Sequence, residues 1–253
     1  MRRIFYILSL FSVSCEMPNG GNQSGDMSHW LDIGYNGGDS TNGNNTIISS
    51  DDAPEHETVS TEAIPIGDAL KGTYSVIIRT ENGGDVIGSG FLIAPDLLVT
   101  NFHVVEGFSF GFVRQNDKSP RYNIDEILKV DAVNDVAILR VKSIQEPFVL
   151  PLSSEMPNIG ERIYALGCPK GLEGTMSSGI ISQFRERDGR GICKDAESAI
   201  YYQTDVQINH GSSGGPILNE KGHVIAIAVG GFGDGLNFLV PARFIDVLNK
   251  GTF

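Results

Sequence analysis

The sequence predicts an all-β fold, of barrel or sandwich type, closed by one terminal helix, and three observations predict it. From Lys71 onward the chain divides into short apolar or alternating runs. Turn-forming residues separate those runs, and no long segment carries a helical period until the last residues. In chain order the runs are YSVIIRT, DVIGSGFLIA, LLVTNF, EILKVDAV, DVAILRV, RIYALGC, GIISQFRE, AIYYQTDV, GPILN and HVIAIAVGG. Each has strand length and the β-branched and aromatic residues that pack well on a pleated surface. ENGG, APD and NEKG between them supply the dihedrals and local hydrogen bonds of tight turns. The closing PARFIDVLNKG reads as a helix, with Pro241 in its first turn and Gly251 at its exit. No repeat of fixed period is present.

The chain ahead of Lys71 has a different texture. MRRIFYILSLFSVSC opens with two arginines, follows with an apolar run from Ile4 to Val13, and ends in small residues before Cys15. Such a run is too short for a bilayer span, which needs about 20 residues. Residues 1–15 therefore read as an export signal. With Cys15 directly after it, the segment resembles a bacterial lipoprotein signal whose cysteine is lipidated, although Ser12 stands where those signals prefer Leu. Ser12 and Ser14 also permit ordinary signal cleavage and simple secretion. The expected location is the cell envelope, lipid-anchored to a membrane through Cys15 or otherwise secreted or periplasmic.

Residues 16–70 hold ten acidic residues and no Lys or Arg, with Gly, Asn, Ser and Thr between them. Such a stretch buries too little apolar surface to offset its ordering entropy, so it is expected to be a flexible acidic tether. Its root-mean-square reach is on the order of 40 Å. Its Asp and Asn spacing does not make an EF-hand loop. The tether carries most of the net charge of −12. The remaining residues, 21 acidic against 19 basic, are close to neutral, which excludes a basic face for nucleic acid. With Cys15 removed or acylated, Cys168 and Cys193 remain, and whether they pair is open.

Three residues carry the chemistry. His103 follows the run that ends at Thr100. Asp135 stands at the mouth of the apolar run Val136 to Val141. Ser213 sits inside QINHGSSGGPIL. A serine hydroxyl is a weak nucleophile until a base takes its proton, and that base works best with its tautomer fixed by a third group. Gly211 can take dihedrals that turn its amide, together with that of Ser213, toward one developing oxyanion. Gly214 and Gly215 leave room for close packing beneath.

TNFHVV, DVAIL and GSSGGP, in the order His, Asp, Ser, resemble the chymotrypsin-like (trypsin-like) serine peptidase family, in its bacterial HtrA-like and glutamyl-endopeptidase-like branch. YALGCPKG, SSGIIS, YQTDVQIN and NFLVPARFI extend the resemblance over roughly residues 74–253. It implies two six-stranded antiparallel barrels, roughly residues 71–155 and 156–253, with the site in the cleft between them. It also implies that His103 is general base, Asp135 its orienter, Ser213 the nucleophile, and Gly211 with Ser213 the oxyanion hole. No cofactor or metal is expected, and the substrates are peptides or proteins. Ser212 stands where digestive members carry an aspartate, so their zymogen switch is not expected. No PDZ domain follows, so PDZ-dependent regulation is not expected either; the oligomeric state is open.

Each residue also has a plainer reading. A lone histidine after a strand is usually structural, and His29, His56 and His223 read as solvated. Asp131 rivals Asp135 as the acid, and Ser212 is a second hydroxyl beside Ser213. By analogy Gln207, His210, Gly230 and Gly235 line the substrate pocket. A neutral Gln207 disfavours Lys or Arg before the cut; open glycine walls favour apolar side chains, and a charged His210 favours Glu. The expected activity is an exported serine endopeptidase. The alternatives are a catalytically silent peptide-binding surface protein on the same fold, and an esterase using the same acyl chemistry. The α/β-hydrolase order Ser, acid, His is not the order found here.

Overall fold

The computed structural model describes residues 62–115, 119–189, 191–231 and 235–250. The export signal, Cys15, most of the tether, His29, His56 and Gly251 lie outside them. Thirteen strands form two β-barrel-like sheets. The first holds β1 (Thr73–Thr80), β2 (Asp85–Ala94), β3 (Leu97–Thr100), β4 (Phe108–Arg114), β5 (Tyr122–Asn123), β6 (Glu126–Asp131) and β7 (Val136–Arg140). Their order across the sheet is β5-β4-β1-β2-β3-β7-β6, all antiparallel. Seven strands replace the six expected because two residues, Tyr122 and Asn123, pair onto the edge of β4.

The second sheet is a closed six-stranded barrel in the order β10-β13-β12-β11-β8-β9. It is built from β8 (Arg162–Gly167), β9 (Thr175–Arg185), β10 (Tyr201–Thr204), β11 (Pro216–Leu218), β12 (Val224–Gly231) and β13 (Asn237–Pro241). Among the described residues two short α-helices, α1 (Phe102–Val105) and α2 (Arg243–Lys250), and two 3-10 segments, Asp68–Gly72 and Pro169–Gly171, complete the fold. Pro241 is the last residue of β13, paired with Ala226, and not a helix first-turn residue. β4, β5 and β13 were not among the expected strands. FSFGFVR is interrupted by glycine, and NFLVP runs directly into the helical pattern.

Apolar runs without alternation, such as VAIL in β7, follow from burial on both strand faces. Ala137 and Leu139 point into the first sheet's interior with Val76, Ile78, Leu92 and Leu98. Val136 and Ile138 point the other way, into a seam shared with Leu166, Leu218, Ile227 and Val240 of the barrel and Ile245 and Leu248 of α2. The barrel has its own interior of Ile163, Ile181, Tyr202, Ile217 and Leu239. The two sheets are thus locked together by strands that serve two cores at once.

The ordered body begins before Lys71, where the tether was expected to end. Ile64 N–H donates to the Lys221 carbonyl at 2.8 Å, and Ala69 is fully buried in the seam. His223, expected in solvent, is buried, with Nε2 3.1 Å from the Glu62 carbonyl. The last tether residues therefore cover the turn that carries His223. Cys168 is buried and Cys193 half-buried, and they form no disulfide. Among the described residues no helix is long and apolar enough to cross a membrane.

Burial pushes the phenols of Tyr74 and Tyr202 up to about 12. A folded-state value above the unfolded one, about 10, stabilises the protein fully below pH 10, and the gain is lost as pH rises through 12. Ultraviolet titration should show at least these two tyrosines ionising late, together with loss of near-ultraviolet dichroism. Simultaneous, reversible ionisation of all tyrosines near pH 10 would contradict this burial.

Candidate active site

His103 sits on α1, immediately after β3, rather than in an open loop. Asp135 immediately precedes β7, the partner of β3, and the ladder sets Thr100 opposite Ala137. That register places the two loop ends side by side. The Asp135 carboxylate takes both donors that His103 offers: the backbone N–H on Oδ1 at 2.9 Å and ring Nδ1 on Oδ2 at 2.7 Å. An ionised carboxylate only accepts, so Nδ1 carries the hydrogen and the neutral ring keeps a lone pair on Nε2. The Asp135 side chain is 5 % exposed and that of His103 36 %, so the acid is shielded while the imidazole is reached by solvent.

Asp135 adopts a left-handed backbone, φ 58°, uncommon for a residue with a side chain. Asn101 Nδ2 holds it there by donating to the Asp135 carbonyl at 2.8 Å. Across the cleft Arg187 braces the same turn, donating to the Val133 carbonyl at 2.6 Å and to Asn134 Oδ1 at 2.9 Å. Asp131, the rival acid, is engaged elsewhere: it accepts from the amides of Val133 and Asn134 and from Asn134 Nδ2. Burial pushes the nearby Tyr201 phenol up, with Arg187 lowering it and Asp135 raising it.

The loop 209–215 brings Ser213 from the barrel to this corner. Ser213 C=O accepts from Ser89 N–H of β2 at 2.7 Å. A Cβ on Gly214 would lie against the Ser89 carbonyl and Thr100 Oγ1 and 3.1 Å from Asn101 N, the segment leading into His103. Gly214, at φ +87°, and Gly211, at φ +94°, thus take backbone conformations and approaches that exclude a side chain. Ser212 is buried and staples the turn, its Oγ accepting from Asn209 N–H at 3.3 Å.

Ser213 Oγ donates to the Val229 carbonyl at 2.8 Å, and not to His103. Among the described residues the amides of Gly211 and Ser213 have no acceptor, although those of Ser212, Gly214 and Gly215 all do. Lys170 N–H donates to the His210 carbonyl at 2.6 Å, which turns the opposite end of that peptide, the Gly211 N–H, away from the loop 168–171. Two unpartnered amides thus flank one half-buried hydroxyl, a geometry suited to stabilising an oxyanion.

The residues expected around the substrate are more dispersed. Gln207 and His210 are exposed, and the Gln207 carbonyl accepts from Ser177 Oγ of β9 at 3.1 Å. Gly230 lies where the β12–β13 register shifts, opposite Phe238. A side chain on Gly235 would be 3.7 Å from Asp205 Cβ. Asp205, Asn101, Ser89, Lys170 and Arg187 were not singled out in the sequence; only the glycines flanking Ser89 in an apolar strand gave a signal. Among the described residues no group of three or more His, Cys, Asp or Glu is placed to hold a metal ion.

Replacing Asn101 by Ala should cost about 1–3 kcal/mol, because the buried Asp135 carbonyl loses its donor. Asn101→Asp should destabilise as well, since a carboxylate cannot donate. Denaturant melts check both, and a wild-type midpoint for Asn101→Ala would contradict the bracing role.

The profile of the family described as "Trypsin-like peptidase domain" matches residues 88–227. The chain is 35% identical over 172 residues to a probable periplasmic serine endoprotease, DegP-like, of Pseudomonas savastanoi pv. phaseolicola. It is 37% identical over 172 residues to a protein of the same description from Hahella chejuensis. These alignments cover 65% and 64% of this chain but 34% and 35% of the relatives, so the chain matches about a third of their length. Among solved structures, the serine endoprotease from Yersinia pestis superposes with TM-score 0.62 and 25% identity, covering 74% of this chain and 64% of that one. The HtrA-type protease AlgW with tripeptide gives TM-score 0.62 at 23% identity over 74% of this chain and 63% of that one, a likeness of fold. On the matched profile and the two-sheet architecture together, the chain belongs to the family of trypsin-like peptidase domains.

Proposed function

We propose that the protein is an exported serine endopeptidase that cleaves peptide bonds through an acyl-enzyme on Ser213. The observation that carries this reading is the His103–Asp135 pair, joined at 2.7 Å, beside a serine flanked by two unpartnered amides. Rotation of the Ser213 side chain from Val229 toward His103 Nε2 would give the base a proton to take. The hydroxyl oxygen then attacks the substrate carbonyl carbon, and the oxyanion forms against the amides of Gly211 and Ser213. His103, now an imidazolium held by Asp135, returns its proton to the leaving amine. Water repeats the sequence on the acyl-enzyme and restores the hydroxyl.

Ser213→Ala should lower turnover of a peptide substrate by several orders of magnitude, leaving roughly 10³ to 10⁴ over water from binding and the oxyanion amides. Full activity in Ser213→Ala would overturn the assignment. The Ser213–Val229 hydrogen bond favours a second reading, a silent peptide-binding module whose hydroxyl stays turned away from the base. Labelling by a fluorophosphonate, lost in His103→Ala, selects the enzyme; no labelling with peptide binding intact selects the module.

The names of the relatives support a periplasmic or otherwise exported setting. Cys15 would add a lipid anchor, with the acidic residues after it as spacer. The protein should then sediment with membranes, and Cys15→Ala should release it to the soluble fraction. A Cys15→Ala protein still wholly in membranes would contradict the anchor.

A further inference from the structure

Ser89 lies on β2 between two glycines, with Phe91 and Leu92 following, and is fully buried. A buried hydroxyl in an apolar strand is costly unless its hydrogen-bonding capacity is met. Here the hydroxyl both donates and accepts, and both partners lie outside its own sheet. Ser89 Oγ donates to the Gly211 carbonyl at 2.6 Å and accepts from Cys168 N–H at 2.9 Å. Its backbone N–H donates to the Ser213 carbonyl at 2.7 Å, and its carbonyl accepts from Thr100 Oγ1 at 2.7 Å. Two loops of the barrel and the strand leading to His103 thus meet on one residue of the first sheet.

The consequence lies in the peptide planes. A trans peptide is rigid and its C=O and N–H point in opposite directions, so a bond to the carbonyl of one residue aims the amide of the next. Four successive carbonyls are held: His210 by Lys170 N–H at 2.6 Å, Gly211 by Ser89 Oγ, Ser212 by Gly215 N–H at 2.9 Å, and Ser213 by Ser89 N–H. The first and third of these bonds aim the amides of Gly211 and Ser213. Ser89 Oγ holds the plane between them. Through Cys168 the same hydroxyl is tied to the loop that carries Lys170. The neighbouring glycines make room for this hydroxyl: a Cβ on Gly167 would come within 2.7 Å of Ser89 Oγ, and one on Gly215 within 3.3 Å of its Cβ.

We propose that Ser89 is a positioning residue for the oxyanion-binding amides, coupling their two peptide planes to each other and to the loop 168–171 across the two sheets. It touches no substrate and acts through Gly211 and Cys168. The inference rests on the serine-peptidase reading of Ser213.

Ser89→Ala removes both Oγ hydrogen bonds, the one to the Gly211 carbonyl and the one from the Cys168 amide. The test is steady-state hydrolysis of a peptide ester by the full chain, with kcat expressed per active site titrated by a fluorophosphonate. Loss of one oxyanion donor costs about 10² to 10³ in kcat, and misaiming two should cost about tenfold to a hundredfold. We expect that fall in kcat per titrated site, with KM within about twofold and the pH profile unmoved, because His103 and Asp135 are untouched. Ser89→Cys, which keeps a weak donor of similar shape, should fall between Ala and wild type and serves if Ser89→Ala does not fold. Unchanged kcat per titrated site in either folded variant, or a rise in KM alone, overturns the positioning role. Ser213→Ala run in parallel separates the cases: dead Ser213→Ala with normal Ser89→Ala sinks this inference only, whereas active Ser213→Ala sinks the reading beneath it.

Discussion

The hydrogen bond from the Ser89 amide to the Ser213 carbonyl crosses from one sheet to the other beside the candidate site, and the site's geometry follows from it. The loop holding Ser213 grows out of the barrel, while His103 and Asp135 belong to the first sheet. A shift of the sheets past each other would separate the groups by more than a hydrogen bond's tolerance. The seam of Phe91, Val99, Val136 and Ile138 against Leu166, Leu218, Ile227 and Val240 prevents that shift by close packing. The crossing hydrogen bonds then set the direction that non-directional packing leaves undetermined.

Within the first sheet the histidine and its acid are set by register. β3 and β7 are neighbours, Thr100 faces Ala137, and so the residues just beyond their ends converge. The left-handed backbone of Asp135 turns its carboxylate back toward α1, where it collects two donors from one residue. Asn101 from one side and Arg187 from the other hold that turn. The acid loop thus depends on the second barrel as the serine loop depends on the first.

Around the substrate the structure is less convergent than around the reacting groups. Gln207 and His210 stand in solvent, Asp205 approaches the Gly235 backbone, and its Oδ1 is already engaged by the Ile180 amide at 2.7 Å. The N-terminal residues add a second dependence: Ile64 and Ala69 pack on the barrel and the seam, so the acidic stretch ends inside the folded body and not at its edge.

Much of this was legible in the residues alone. Ten strands were readable because apolar runs and turn residues are local properties, and His103, Asp135 and Ser213 because their glycine and apolar frames are contiguous in the chain. β4, β5 and β13 were not, since a strand interrupted by glycine, a two-residue strand and one merging into a helix carry no clear local period; nor was the burial of His223, which depends on residues far away in sequence. By itself the sequence determined the all-β class and singled out the candidate side chains in their order. Only the tertiary structure decided which acid meets His103, that Ser213 turns to Val229, and that Ser89 holds the Gly211 carbonyl, because each is a hydrogen bond between residues 16 to 122 positions apart.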